Sequence, residues 1–175
     1  NATGRVLSVV TPDAQRTMFS ALSVAAEITP EDITVEQFKD VALVHFEGYL
    51  AFNEPVFRKA LEMAKTVGAL ISLDLASFEV VNAIKPLFEE VIESHVDIII
   101  ENEDEAKAFT GLEESAALEA LSKLCDFAVV KLGKKGSLIK NKGEVTIIEA
   151  QIVEAIDTTG AGDLWAAGFL YGVVE

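Results

Sequence analysis

From position 38 onward, short continuous apolar runs alternate with longer stretches whose apolar residues recur every three or four positions. Runs at 41–46, 69–73, 96–100 and 127–132 have strand length, and stretches at 54–66, 78–94, 103–109 and 115–124 carry the helical period. This alternation predicts βα units wound around a mostly parallel sheet. Pro55 suits the first turn of its helix, whereas Pro86 lies inside one and predicts a kink or two helices. After 132 the pattern changes. Residues 133–136 read as a turn, and 137–140 with 144–149 flank Asn141-Lys142-Gly143, which predicts a hairpin. A second antiparallel candidate comes before the alternating part, where 5–10 and 16–22 flank Thr11-Pro12-Asp13-Ala14 and could form a separate flap. No internal repeat or low-complexity tract supports a solenoid or a disordered linker.

Half of the 175 residues are hydrophobic, enough for one domain with a substantial core. The formal net charge of -15 opposes a nucleic-acid partner, which would draw on clustered Lys and Arg. A small anionic ligand is still allowed where backbone amides, a metal ion or a few lysines concentrate positive potential. Cys125 is the single cysteine, and His45 and His95 complete no Cys/His metal cluster, so a reducing compartment fits. Without a membrane-length apolar run or a signal-peptide layout, a cytoplasmic chain that does not contact membrane is the expectation. The sequence opens on Asn and closes in a helical pattern at 168–175, so it reads as a piece of a longer protein.

Candidate chemistry concentrates in Asp157-Thr158-Thr159-Gly160-Ala161-Gly162-Asp163, which opens the helical stretch Leu164-Trp165-Ala166-Ala167-Gly168-Phe169-Leu170. The first amides of a helix lack intrahelical partners, and the peptide dipoles favour negative charge at that end. Gly160 and Gly162 would let a phosphate approach the backbone without a Cβ in the way. A carboxylate beside such a cradle repels phosphate, so Asp163 reads as a group that accepts the proton of an attacking hydroxyl. The plainer alternative is that Asp163 complements the helix dipole and the glycines form an ordinary turn. A dinucleotide fingerprint fails because Trp165 stands where a small residue is needed, and no P-loop pattern occurs.

Over residues 157–170 the chain resembles the second signature of the ribokinase-like (PfkB) family of carbohydrate and nucleoside kinases, with Leu164-Trp165 as a mild departure. That resemblance implies an α/β fold, a three-layer α/β/α core with a mostly parallel sheet and part of a small β lid. It makes Asp163 the general base and gives the phosphoryl-stabilising amides to Gly160, Ala161 and Gly162, with Thr158 beside the nucleotide. Asn102-Glu103-Asp104-Glu105 resembles the family's Asn-x-x-Glu motif, in which Asn102 and Glu105 organise Mg²⁺, its waters and the phosphates of ATP. Its structural alternative is a capping box at a helix start. The stretch 129–136 resembles the family's strand and glycine turn beside the nucleotide, with Lys131, Gly133 and Gly136 as candidates; an edge strand with solvated lysines is the alternative.

Residues 3–5 and 11–17 resemble the lid strands of nucleoside-type members, which would let Arg16 reach a substrate or phosphate. Residues 1–22 are then part of the lid, and 23–175 are an α/β nucleotide-binding and catalytic core incomplete at both ends. The implied activity is transfer of the γ-phosphate of ATP, with Mg²⁺, to a hydroxyl of a sugar or nucleoside. A catalytically silent nucleotide-binding or regulatory protein of the same fold is the rival, and the apolar faces expected of a partial chain leave room for a homodimer. Asp74 ends a strand, where open α/β sheets place ligand sites, and His45 reads as a satisfied structural histidine.

Overall fold

The structure, a computed structural model, describes residues 2–11, 16–154 and 157–175, with Arg16 described by its backbone alone. The chain divides into two compact units, Asn1–Asp32 with Val153–Glu175, and Ile33–Ile152.

In the first unit, β1 (Arg5–Val10) and β2 (Arg16–Ala21) pair antiparallel, with Leu7 opposite Phe19 and Arg5 opposite Ala21. Both strands are exposed along their described side chains, including Leu7 and Phe19 at 65% and 61%.

The second unit is built on one six-stranded sheet. Strands β3 (Leu43–Glu47), β4 (Leu70–Asp74), β5 (Ile98–Asn102) and β6 (Phe127–Lys131) run parallel, and β7 (Ser137–Asn141) and β8 (Glu144–Ile148) complete the sheet antiparallel. Spatial order follows chain order, β3 to β8. Helices α1 (Glu54–Thr66) and α2 (Phe78–His95) cross between parallel strands, as does the pair α3 (Glu103–Thr110) and α4 (Glu114–Leu121). The predicted α/β architecture is therefore present, with strand and helix limits within a few residues of those read from the pattern.

One set of strand side chains, Ile71 and Leu73 of β4, Ile99 of β5, and Ala128 and Val130 of β6, forms a single core with α1 to α4. Phe57, Leu61 and Phe88 are fully buried in it; each such side chain contributes roughly 1.5–3 kcal/mol. The alternate set, Ile98, Ile100 and Val129, is fully buried as well. Burial of both faces explains why these strands read as continuous apolar runs.

Pro86 acts as expected: α2 breaks at Ile84, with φ -133° and ψ 24°, because the proline lacks an amide hydrogen and its ring crowds the preceding turn. The helix predicted to reach 124 stops at Leu121. Its continuation tightens into i to i+3 bonds, Lys123 N–H to Ala120 O and Leu124 N–H to Leu121 O. The predicted hairpin closes through Lys142 and Gly143, both at positive φ, in a two-residue turn whose twist matches its strands. Short 3₁₀ turns at Ser23–Glu27, Pro30–Asp32, Val35–Phe38 and Gly48–Phe52 had no counterpart in the sequence reading.

In the first unit, α5 (Ala161–Val174) follows the glycine stretch. Trp165 stacks on Phe169 one turn later, with ring centroids 5.3 Å apart and planes 20° apart, so the departure at 165 serves local packing on this helix.

Gly136 and Gly143 both sit at positive φ, but only Gly136 is hemmed in. A Cβ there would lie 1.9 Å from the Ile148 carbonyl oxygen, whereas nothing lies within 4 Å of one on Gly143. Gly143→Ala should thus cost about 1 kcal/mol, the conformational term alone. Gly136→Ala should cost about 3 kcal/mol or more, since backbone must move. Urea midpoints of the two variants with unchanged m values check the difference.

Candidate active site

Each of the four parallel strands ends on a polar or charged residue: Glu47, Asp74, Asn102 and Lys131. Strand register places Glu47 opposite Asp74 and Asn102 opposite Lys131, so the four line the carboxyl edge of the sheet. The Lys131 ammonium reaches past β5 to donate to Asp74 Oδ2 at 2.8 Å, in a pair whose side chains are 16% and 11% exposed. Asp74 Oδ1 accepts from the Ala76 amide at 2.9 Å and so fixes the turn that leads into α2. A Cβ on Gly48 would stand 2.7 Å from the Leu75 carbonyl oxygen, so the chain after β3 passes against the end of β4. The Lys131 side chain is thus tied into the sheet edge, unlike the solvated lysine of the plainer reading.

Asn102 and Glu105 form a complete capping box. Asn102 Oδ1 accepts from the amides of Asp104 and Glu105, and Glu105 Oε2 accepts from the Asn102 amide at 2.8 Å. The Asn102 side-chain amide donates to the other oxygen of Glu105. Glu105 is buried, and burial, followed by the nearby charge of Asp74, pushes its carboxyl up to about 7, against the pull of the Asn102 amide and of Lys131. Glu101, one strand residue earlier than Asn102, is fully buried, and neither of its oxygens has a hydrogen-bond partner among the described residues. Desolvation first, then the charges of Glu105 and Asp74, hold its carboxyl well above the usual carboxylate range. Sequence reasoning passed over Glu101 and the Asp74–Lys131 pair. A charge inside the apolar run 98–101 was the available signal for the first, while the second joins residues 57 apart in sequence.

After β6 the chain turns through Gly133–Lys135, with Gly133 at φ 53° and open space where its Cβ would be. Gly136 is required by the close Ile148 carbonyl of its own sheet. Lys135 pairs with Glu114 on the surface, and His45 sits between Ser72 (3.1 Å) and Glu47 (3.9 Å), as befits a structural histidine.

In the other unit, Asp157 Oδ1 accepts from the amide and the hydroxyl of Thr159, closing a tight turn before α5. The Ala161 amide donates back to the Thr158 carbonyl, and Gly160 takes the cap position at φ 73°, a left-handed conformation that favours glycine. Gly160 offers no capping side chain, so among the described residues the amides of the first turn, including those of Gly162 and Asp163, point out of the helix. Asp163 is exposed, and its Oδ2 stands 3.7 Å from where a Gly160 Cβ would be, so the carboxylate lies over its own helix start. The Arg16 side chain lies outside the described residues.

The sequence pattern of the pfkB family of carbohydrate kinases matches residues 1–175. The chain belongs to this family. A ribokinase of Haemophilus influenzae is 36% identical over 66% of the chain, and one of Staphylococcus aureus is 32% identical over 96%. The chain covers 38% of the first and 55% of the second, so it spans about half the length of the relatives it matches. An adenosine kinase from Sinorhizobium meliloti, 34% identical, superposes with a TM-score of 0.90 over 98% of this chain and 54% of its own. The fold is therefore ribokinase-like. A ribokinase II-type chain from E. coli, solved with ATP and Mg²⁺, is 22% identical with a TM-score of 0.80 over 95% of this chain and 58% of its own, and shares that fold.

Glu101 burdens the fold, being a fully buried carboxyl. A carboxyl raised on folding binds its proton more tightly in the native state, so stability from this group is present below about pH 4.5 and is lost as pH rises toward its folded value. Glu105, raised to about 7, adds a slope of the same sign. Glu101→Leu should be more stable than the parent at pH 8 and should flatten, without abolishing, the fall in stability from pH 5 to pH 8. Denaturant midpoints across that range check it.

Proposed function

We propose that the whole protein is an ATP-dependent kinase that phosphorylates a hydroxyl of a sugar or nucleoside, with Asp163 as general base. The observation that carries this reading is the uncapped start of α5, where outward amides and an exposed carboxylate share one helix turn. The amides of Gly160 and Gly162 would stabilise charge on the transferring phosphoryl group, whereas the Ala161 amide, expected to share that task, is bonded to the Thr158 carbonyl and holds the turn instead. Asp163 would orient the acceptor hydroxyl and take its proton during in-line attack. An inactive nucleotide-binding protein would have little use for such a carboxylate, since it repels the phosphate that the amides attract. Thr158, Lys131, Gly133 and Gly136 are the proposed surroundings of the nucleotide, and Arg16 a substrate contact from a lid in residues 1–22.

The carboxyl edge fits Mg²⁺ in a limited way. Among the described residues no three His, Cys, Asp or Glu are grouped to enclose a metal, and both Glu105 oxygens are engaged by Asn102. Glu105 would hold a largely hydrated Mg²⁺ through water, with Asn102 setting its direction. When bound, that ion neutralises negative charge on the phosphates. The acceptor class is left open between nucleoside and sugar by the relatives themselves, an adenosine kinase and two ribokinases at 32–36% identity.

Assaying the longer protein against sugars and nucleosides tests the reading, and a protein that binds ATP but transfers to none would favour the silent alternative. Asp163→Asn should lower turnover by about two to four orders of magnitude while ATP affinity changes only a few fold. Near-normal turnover would remove Asp163 from the mechanism. Glu105→Gln keeps a capping side chain, so its melting temperature should stay close to that of the parent while the Mg²⁺ concentration for half-maximal rate rises. An unchanged metal titration would leave Glu105 as a cap alone.

A further inference from the structure

We propose that Asp74 is a positioning residue that holds the Lys131 ammonium at the carboxyl edge of the sheet for contact with the phosphates of the nucleotide. The proposal rests on the kinase reading above. Asp74 is buried, and its two oxygens have separate tasks. Oδ1 is fastened to the Ala76 amide, at a residue held in the left-handed region with φ 73°, where alanine is strained. With that oxygen fixed, the carboxylate cannot turn away, and Oδ2 presents one acceptor to Lys131 at 2.8 Å.

The pair bridges two strands with β5 between them, a span of about 10 Å at ordinary strand spacing. The lysine stem is thereby stretched across the end of β5 beside Asn102, its neighbour in register. An ammonium has three donors, and Asp74 accepts one of them. On its other side Lys131 faces Ser137, whose hydroxyl is buried and unpartnered among the described residues. Glu105 and Glu101 both feel the charge of Lys131, so this cation stands among carboxylates where a tetra-anionic ligand would otherwise be repelled. If the pair only closed the sheet edge, neither strain at Ala76 nor a lysine side chain that keeps 16% of its surface exposed would be needed, and an apolar pair would serve as well.

The test uses the longer protein and reads the affinity for a non-hydrolysable ATP analogue without Mg²⁺, the KM for ATP and for acceptor, and the melting temperature. Lys131→Met and Asp74→Asn should each weaken analogue binding by about ten- to a hundred-fold, the range of a charge-assisted hydrogen bond, with the acceptor KM unchanged. The double variant, which leaves no unpaired charge, should bind no worse than Lys131→Met alone. Should Asp74→Asn fail to fold, Asp74→Glu, which displaces the charge by one methylene, replaces it with the same expected direction. Unchanged affinity in the Asp74 variant while Lys131→Met binds weakly, or losses that add in the double variant, would overturn the positioning role and leave the kinase reading intact. Unchanged affinity in Lys131→Met overturns it as well, and a parent protein that does not bind the analogue overturns both readings.

Discussion

A parallel strand buried on both faces has to hide every side chain along its length, so charge is pushed to its ends, and the mid-strand polar groups His45 and Ser72 are bonded to each other. That constraint organises the second unit. Ile98, Ile99 and Ile100 leave β5 no room for a polar group until Glu101 and Asn102, and β4 and β6 likewise close on Asp74 and Lys131. Strands β3 and β4 stop in register, as do β5 and β6 two residues further along, so the polar ends fall on one edge in two steps. A row of charges at the carboxyl edge is thus a consequence of packing before it is a binding surface, and the edge is where chains of this architecture can carry chemistry without spoiling the core.

The same row shows how one residue can serve fold and site together. Glu105 completes a capping box, a feature that stabilises helix starts wherever they occur. It does so while buried near the charge of Asp74, surroundings that raise its proton affinity and that a cap on an exposed helix would not need. Structure and chemistry are therefore compatible explanations of Asn102 and Glu105, and the helix cap is what fixes the direction of the carboxylate. Asp74 combines roles in the same way, one oxygen on the backbone of a strained turn and the other on a lysine from β6.

What the sequence made legible follows from the range over which each signal acts. Strand-length apolar runs, the Pro86 break, the Lys142-Gly143 turn and the glycine-rich start of α5 are local patterns, and each lies where the pattern placed it. The capping box could be read because Asn102 and Glu105 are three residues apart. The 3₁₀ turns escaped because three residues per turn over so few positions leave no amphipathic trace. The Asp74–Lys131 pair escaped for a different reason: only strand order brings β4 and β6 to either side of β5. Gly136 shows a third kind of limit. Its glycine was legible as a turn residue, but the neighbour that demands it, the Ile148 carbonyl, belongs to a strand twelve residues further on.

Net charge was the least informative quantity, and the structure explains why. A chain at -15 should repel a polyphosphate, yet that figure is a sum over the whole chain and carries no information on where its charges lie. Arg58 is taken up by Glu54 and Glu90, Lys107 by Glu113, Lys135 by Glu114 and Lys140 by Glu119. Such surface pairs are screened within about 10 Å in ordinary salt and say little about a ligand bound elsewhere. At the start of α5 the relevant charge belongs to no side chain: it is the partial positive charge of amides left over when a helix begins at glycine without a cap. Backbone amides contribute nothing to a composition count, so an acidic protein can build an anion cradle that its formal charge conceals. On the kinase reading proposed above, the Asp163 carboxylate over that helix start would serve the acceptor hydroxyl rather than the phosphate, which its charge opposes.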